Sequence, residues 1–327
     1  MLRLVIAELH RLVRRRLTLL TLLLVLLGLG LLGWAAWEST KMPSQAQQEA
    51  YLQSWQAAKA DWDKNKAQII KQCEADNALA RQNGTPTWPC TEANIGPGLP
   101  PTAMEPQGVT SLVVGLDMAL AVGLSSACLL IGASFVGAEF GTGNIGSWLV
   151  FEPRRSRVFW AKLLALALGC VALCLTASLV YLAGVWLVAQ LNHLKPDLTP
   201  RNQLSVLFGL GRVTILATAA GLAAAGLAFL TRHTAAVVAL CGVWLGFTVV
   251  VDGGSGSRLQ RWGLLSNFEA WMTGKAEYTV EVCDLGRINC TWPAHTLDRM
   301  DGAAVLFGVA LLAVALGWAV FHHRDVN

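Results

Sequence analysis

Charged residues are scarce in this chain. They make up 14% of its 327 residues, against roughly 25% in soluble globular domains. Long apolar runs take their place, and apolar residues reach 54%. The charge deficit and several runs of about 20 apolar residues put the chain in the membrane class. Catalytic and fuel-binding motifs are missing too. No G-x-x-x-x-G-K-[ST] loop occurs, which excludes ATP binding by that route. No H-E-x-x-H, no G-x-S-x-G and no Cys/His pair at zinc spacing is present. His193, His233 and His295 are scattered, and His322-His323 with Asp325 form a short tail. The expectation is therefore a chain that is not an enzyme, with no catalytic residue, no metal site and no cofactor of its own. The formal charge of +4 is modest and is distributed by side, so no nucleic-acid patch is expected.

What is present is a set of apolar spans. Six are expected, at 17–37, 110–137, 158–190, 204–230, 235–251 and 302–321. The apolar run after Arg16 is longer than a signal-peptide core and lacks a small-residue cleavage site, so it reads as a retained span. An even count puts both termini on one side. Arg14-Arg15-Arg16, the cations Arg154, Arg155, Arg157 and Lys162, Arg232 and the tail 322–327 then share that side, and the excess of Lys and Arg marks it as cytosolic. The expected fold class is an all-α polytopic membrane protein of the plasma membrane, multi-pass, with both ends cytoplasmic and a bacterial source.

Residues 2–16 read as an amphipathic helix at the interface. Leu2, Val5, Ile6, Leu9, Leu12 and Val13 follow helical spacing, and Arg3, Glu8, His10, Arg11 and Arg14 fill the other face. It serves either as a topology anchor or as a surface that also touches a partner.

Two hydrophilic segments, 38–109 and 252–301, are expected outside. Ser44 with Gln47 spells a capping box opening a helix, followed by Trp55, Ala58, Trp62, Ile69 and Cys73 at helical spacing. That helix should end near Asn83-Gly84, before a Pro-rich return. Tyr278–Cys283 and Arg287–Trp292 flank Asp284-Leu285-Gly286, as a hairpin would. Cys128, Cys170, Cys174 and Cys241 lie in apolar runs, whereas Cys73, Cys90, Cys283 and Cys290 lie in these loops. In an oxidising compartment the loop cysteines should form disulfides. Cys73–Cys90 with Cys283–Cys290 is the preferred pairing, and a cross-loop pairing is the alternative.

Two ionisable residues fall inside spans, Asp117 and Arg212. A structural pair near the outer leaflet, or snorkelling to the interface, is favoured over a proton relay. Gly141-Thr142-Gly143-Asn144-Ile145-Gly146 spells a dinucleotide fingerprint, but it follows a span rather than a strand, so the glycines serve to turn the chain. Small residues from Ala217 to Gly226 form a candidate face for close helix packing.

The segment 136–164 carries a family resemblance. Glu139-Phe140-Gly141-Thr142-Gly143 closes the second span, Pro153-Arg154-Arg155-Ser156-Arg157 follows, and Lys162 opens the third. With the basic helix Glu8–Arg16 and a folded loop between spans five and six, the chain resembles the permease subunits of type-2 ABC exporters. The resemblance implies that 138–157 is a cytosolic coupling segment, with a short helix at 144–150 pressed into a separate ABC ATPase subunit. Glu139, Phe140, Gly143, Asn144, Arg154 and Arg157 would carry the coupling. ATP and Mg would sit on that ATPase. Six spans make half a transporter, so a second permease chain, identical or similar, is implied, with membrane lipid around it. Export of an amphipathic or hydrophobic substrate (drug, peptide or lipid) is the expected function. The alternative is a non-transporting sensor or scaffold whose external domain binds a ligand or partner protein.

Overall fold

The computed structural model describes residues 2–41, 44–82, 87–98, 109–143, 154–194, 199–253, 258–283, 290–291 and 293–323. Six of its helices are long and apolar enough to cross a membrane. They are α2 (Arg16–Thr40), α5 (Val109–Gly141), α6 (Arg155–Leu191), α7 (Pro200–Thr231), α8 (Thr234–Gly253) and α10 (Arg299–His323). The chain is thus a multi-pass helical membrane protein. Each helix runs beyond the apolar stretch that announces it. At 1.5 Å per residue, the 33 residues of α5 and the 37 of α6 reach about 50 and 55 Å, well past a hydrocarbon layer of about 30 Å. Backbone hydrogen bonding continues where hydrophobicity stops.

Helix α7 is the centre of the bundle. It packs along α5 on one side and α10 on another. The small-residue face expected in this span is used: Ala217, Gly221, Ala224, Ala225 and Ala228 are buried. A Cβ on Gly132 of α5 would lie 2.9 Å from the carbonyl carbon of Gly221, and one on Gly226 would lie 2.7 Å from that of Ala313 in α10. Backbones touch directly at these levels, as small residues allow in lipid, where dispersion replaces water expulsion as the cohesive force. Helices α2 and α8 are far less enclosed, and Leu23, Leu24, Leu27, Val243 and Val250 point outward, the expected state of lipid-facing side chains.

Helix α1 (Leu2–Arg14) precedes α2. Its apolar stripe is divided. Val5 packs on Ala161 and Ala165, and Leu12 occupies the notch at Gly169, so α1 lies along the first turns of α6. Leu2, Ile6 and Val13 stay exposed. Glu8, expected on the polar face, is instead fully buried. It lies three residues after Val5 and four before Leu12, inside the packed stripe, and an ion pair described below compensates it.

The 38-residue helix α3 (Gln45–Gln82) opens with the expected capping box. The Gln47 backbone N–H donates to Ser44 Oγ, and the Ser44 N–H donates to Gln47 Oε1 at 3.0 Å. The stripe facing the return segment contains Trp55, Lys59, Trp62, Ile69, Cys73 and Asn77, whereas Ala58 is exposed. Residues 87–98, with the single turn α4 (Glu92–Ile95), run back along it. Trp55 Nε1 donates to the Gly98 carbonyl, and Asn77 brackets Trp88 through both backbone groups. Lys66 and Lys59 grip the Glu92 carboxylate and hold its pKa below the usual carboxylate value. Cys73 and Cys90 are disulfide-bonded, as the preferred pairing has it, closing a separation of 17 residues. Loop closure of that size contributes about 3 kcal/mol in the chain-entropy account. Cys73→Ser/Cys90→Ser should therefore raise hydrogen exchange throughout 87–98, measured by mass spectrometry, and leave α5–α7 protection unchanged.

The segment between α8 and α10 is richer than a hairpin. A 3₁₀ turn (Arg258–Trp262) and α9 (Leu264–Thr273) precede two ribbons. Strand β1 (Lys275–Thr279) pairs with β4 (Ala294–Asp298), and β2 (Val282–Cys283) with β3 (Cys290–Thr291), both antiparallel. The register sets Cys283 opposite Cys290; their side chains lie outside the described residues. Gly263 before α9 and Gly274 after it, at φ +103°, are the sequence signals that mark this extra helix.

Candidate functional site

Both α1 and the basic start of α6 lie at one end of the bundle, here the basal end. The ends of α5, α7 and α10 and the start of α8 meet them there. A buried charge cluster joins these elements. Glu139, two residues before the end of α5, accepts from Arg15 Nη2 through Oε1. Its Oε2 lies 2.6 Å from Lys162 Nζ, and Lys162 also donates to Glu8 Oε1 at 2.9 Å. Arg15 Nη1 reaches the Ser134 carbonyl at 2.9 Å. Glu8 and Lys162 are fully enclosed, and Glu139 is 2% exposed. Two carboxylates face two cations, so the cluster is neutral. Neutrality and short contacts are what make burial of four charges tolerable in a medium that solvates ions poorly.

The Phe135 ring faces both cations, 5.1 Å from the Arg15 guanidinium and 5.0 Å from Lys162 Nζ. The four rings of Phe140, Phe159, Phe229 and Phe321 pack edge-on, tilted and, for Phe159 on Phe321, stacked, with centroids 4.7–6.4 Å apart. They bring α5, α6, α7 and α10 to one point. Arg232 covers Phe140 at 5.7 Å. Arg232 also ends α7 in the left-handed conformation at φ 61°, and α8 starts two residues later. At that start, Thr234 presses on α5: a Cβ on Gly137 would lie 2.7 Å from the Thr234 nitrogen. A displacement of α1 or of the end of α5 therefore reaches α6 through the ions and α8 through the Gly137 contact.

Of the residues the sequence put forward, Glu139 and Phe140 sit in this site. Gly143, at φ +71°, terminates α5 where its N–H meets the Phe140 carbonyl. Arg154 precedes α6, where its carbonyl accepts from Arg157 and Val158; the Arg154 and Arg157 side chains are exposed. Asn144 and the expected helix at 144–150 lie outside the described residues. Lys162, expected at the opening of the third span among the cations of the basic side, turns inward. It lies two turns inside α6 on the face toward α1 and α5, where Glu8 and Glu139 neutralise it. The sequence alone does not mark Gly137 or Phe135, and it shows Arg15 only as one of the basic triplet. A readable signal existed for the ions: a Glu inside the stripe of α1, and a Lys enclosed by Phe159-Trp160-Ala161 and Leu163-Leu164.

Asp117 and Arg212 come together at Gly209, nearer the other end of the bundle. Asp117 Oδ2 is 2.7 Å, and Arg212 Nη2 3.8 Å, from where a Cβ on Gly209 would stand. Among the described residues no direct ion pair joins them. Trp271 of α9 instead caps Arg212 through its carbonyl, and Tyr181 anchors α6 to the Val113 carbonyl of α5 at 2.9 Å. No group of His, Cys, Asp and Glu able to hold a metal is found among the described residues.

No protein-family model matches this sequence, and no curated protein matches it either.

Proposed function

We propose that this chain is the membrane half of an ATP-driven exporter, with its basal end in the cytosol and a separate ABC ATPase subunit seated there. The observation that carries the reading is the buried Glu8–Lys162–Glu139–Arg15 cluster at the basic start of α6. It gives an external motor a stiff place to push. Charges fixed in neutral contact do not reorganise under load, and the Gly137–Thr234 contact passes the displacement to α8. Coupling between two sites needs a two-state element that both sites bias, and the junction of α1, α5, α6 and α8 would be that element. Residues 144–150 would be the part gripped, ATP and Mg would remain on the motor, and a second permease chain would complete the path. An amphipathic or hydrophobic substrate suits spans that carry few ionisable groups. The exposed Tyr51 and Trp88 on the α3 unit favour the rival reading, a sensor or scaffold that binds a partner there.

Arg15→Gln and Arg157→Ala should each reduce substrate-stimulated ATP hydrolysis of the reconstituted permease–ATPase complex by about 5- to 150-fold, the usual range of a coupling free energy. Basal hydrolysis should persist. Unchanged stimulation in both variants removes the coupling assignment, and failure of any ATPase to co-purify with the chain favours the sensor.

A further inference from the structure

A groove of about 370 Å³ runs between α2 and α5, along the least enclosed of the spans. Thr21, Gly28 and Leu32 line it from α2, and Ala119, Gly123 and Leu130 from α5. Its chemistry is that of hydrocarbon. The two hydroxyls along it, Thr21 and Ser126, donate to carbonyls of their own helices and offer nothing to a ligand. Gly28 and Gly123 form open floor, for a Cβ on either would meet no atom within 4 Å. From Thr21 to Leu32 the helix rises about 16 Å, close to half of a hydrocarbon layer of about 30 Å. The groove therefore matches the depth of a single leaflet.

Its basal mouth is charged. Thr21 stands five residues, about 7.5 Å of helix, beyond Arg16. The Arg14 and Arg16 side chains are exposed, and neither carries an ion pair or hydrogen bond among the described residues. Arg15, between them, turns inward to Glu139. The triplet thus spends one cation on the bundle and leaves two at headgroup level. Two unpaired cations above a one-leaflet apolar groove complement a phosphate-bearing headgroup with an acyl chain below it.

We propose that the α2–α5 groove holds one acyl chain of an anionic phospholipid of the basal leaflet, with its headgroup on Arg14 and Arg16. The lipid wedges the least enclosed span, α2, against α5. The proposal needs no transport activity and stands apart from the exporter reading.

The full-length chain, purified from mixed nanodiscs of phosphatidylglycerol and phosphatidylcholine, provides the test by native mass spectrometry. Wild type should retain one phosphatidylglycerol per chain in about twenty-five-fold preference, the product of two cations each worth a factor of about five. Arg14→Gln/Arg16→Gln should bring retention to the phosphatidylcholine level. Gly28→Leu/Gly123→Leu fills the groove without displacing backbone, and should abolish retention of both lipids while helicity by circular dichroism is kept. Equal retention of the two lipids by wild type overturns the proposal. So does a groove-filling variant that keeps its lipid, or one that changes only the oligomeric mass, which would assign the groove to a second copy.

Discussion

Lys162→Met should be the most damaging single substitution in this protein. It leaves the Glu8 carboxylate with no cation and Glu139 with Arg15 alone, in a site from which water is excluded. Breaking a buried ion pair by removing one partner costs about 3–5 kcal/mol, because the survivor stays charged and unsolvated. For a protein of ordinary marginal stability that is a large part of the total. The thermal unfolding midpoint in detergent should fall steeply, and little folded protein should accumulate. The design of the cluster makes the cause separable. Glu8→Met/Lys162→Met leaves Arg15 and Glu139 as a neutral pair and puts apolar volume where the other pair stood. It should recover most of the lost stability, since apolar replacement of a whole buried pair is often neutral or favourable. A double variant as unstable as Lys162→Met alone would mean that the lysine acts through its packed stem rather than its charge.

Gly132→Val and Gly317→Val should follow in severity. Their Cβ atoms would enter the backbone of α7 at Gly221 and Gly226, and backbone cannot rotate aside as a side chain can. Overpacking costs about 1–3 kcal/mol, and more where relief requires a helix to move. The two substitutions push on α7 from different sides, so each should lower the unfolding midpoint and broaden the gel-filtration profile of the purified protein. Gly115→Ala is the matched control. Nothing lies within 4 Å of its Cβ, and the gain in helix propensity is about 1 kcal/mol. If the control and Gly132→Val behave alike, the close approach of α5 and α7 is not what holds the bundle.

The spans were legible because a membrane imposes one demand, length of apolar chain, and the sequence answers it six times. The capping box at Ser44 was legible because its chemistry is local. The site was only half legible. Glu139 announces itself at the end of a span, but its partners Glu8 and Arg15 lie more than 120 residues away, and no periodicity links the two places. The sequence places Lys162 at the opening of the third span with the basic cluster, but its inward orientation depends on which helix lies against α6. The extra helix α9 was lost inside a polar segment whose length drew attention to a hairpin. Gly137 looks like any glycine of an apolar helix until Thr234 is seen against it.

The α3 unit has one more implication. It is braced by its own disulfide and its own lysine clamp, and among the described residues it shares no extensive packed face with the spanning helices. Its folding free energy is then nearly additive to theirs. Such an appendage can diverge in sequence, or be exchanged for another, without asking the bundle to re-adapt. Selection on what this unit meets is free to run faster than selection on the packed helices.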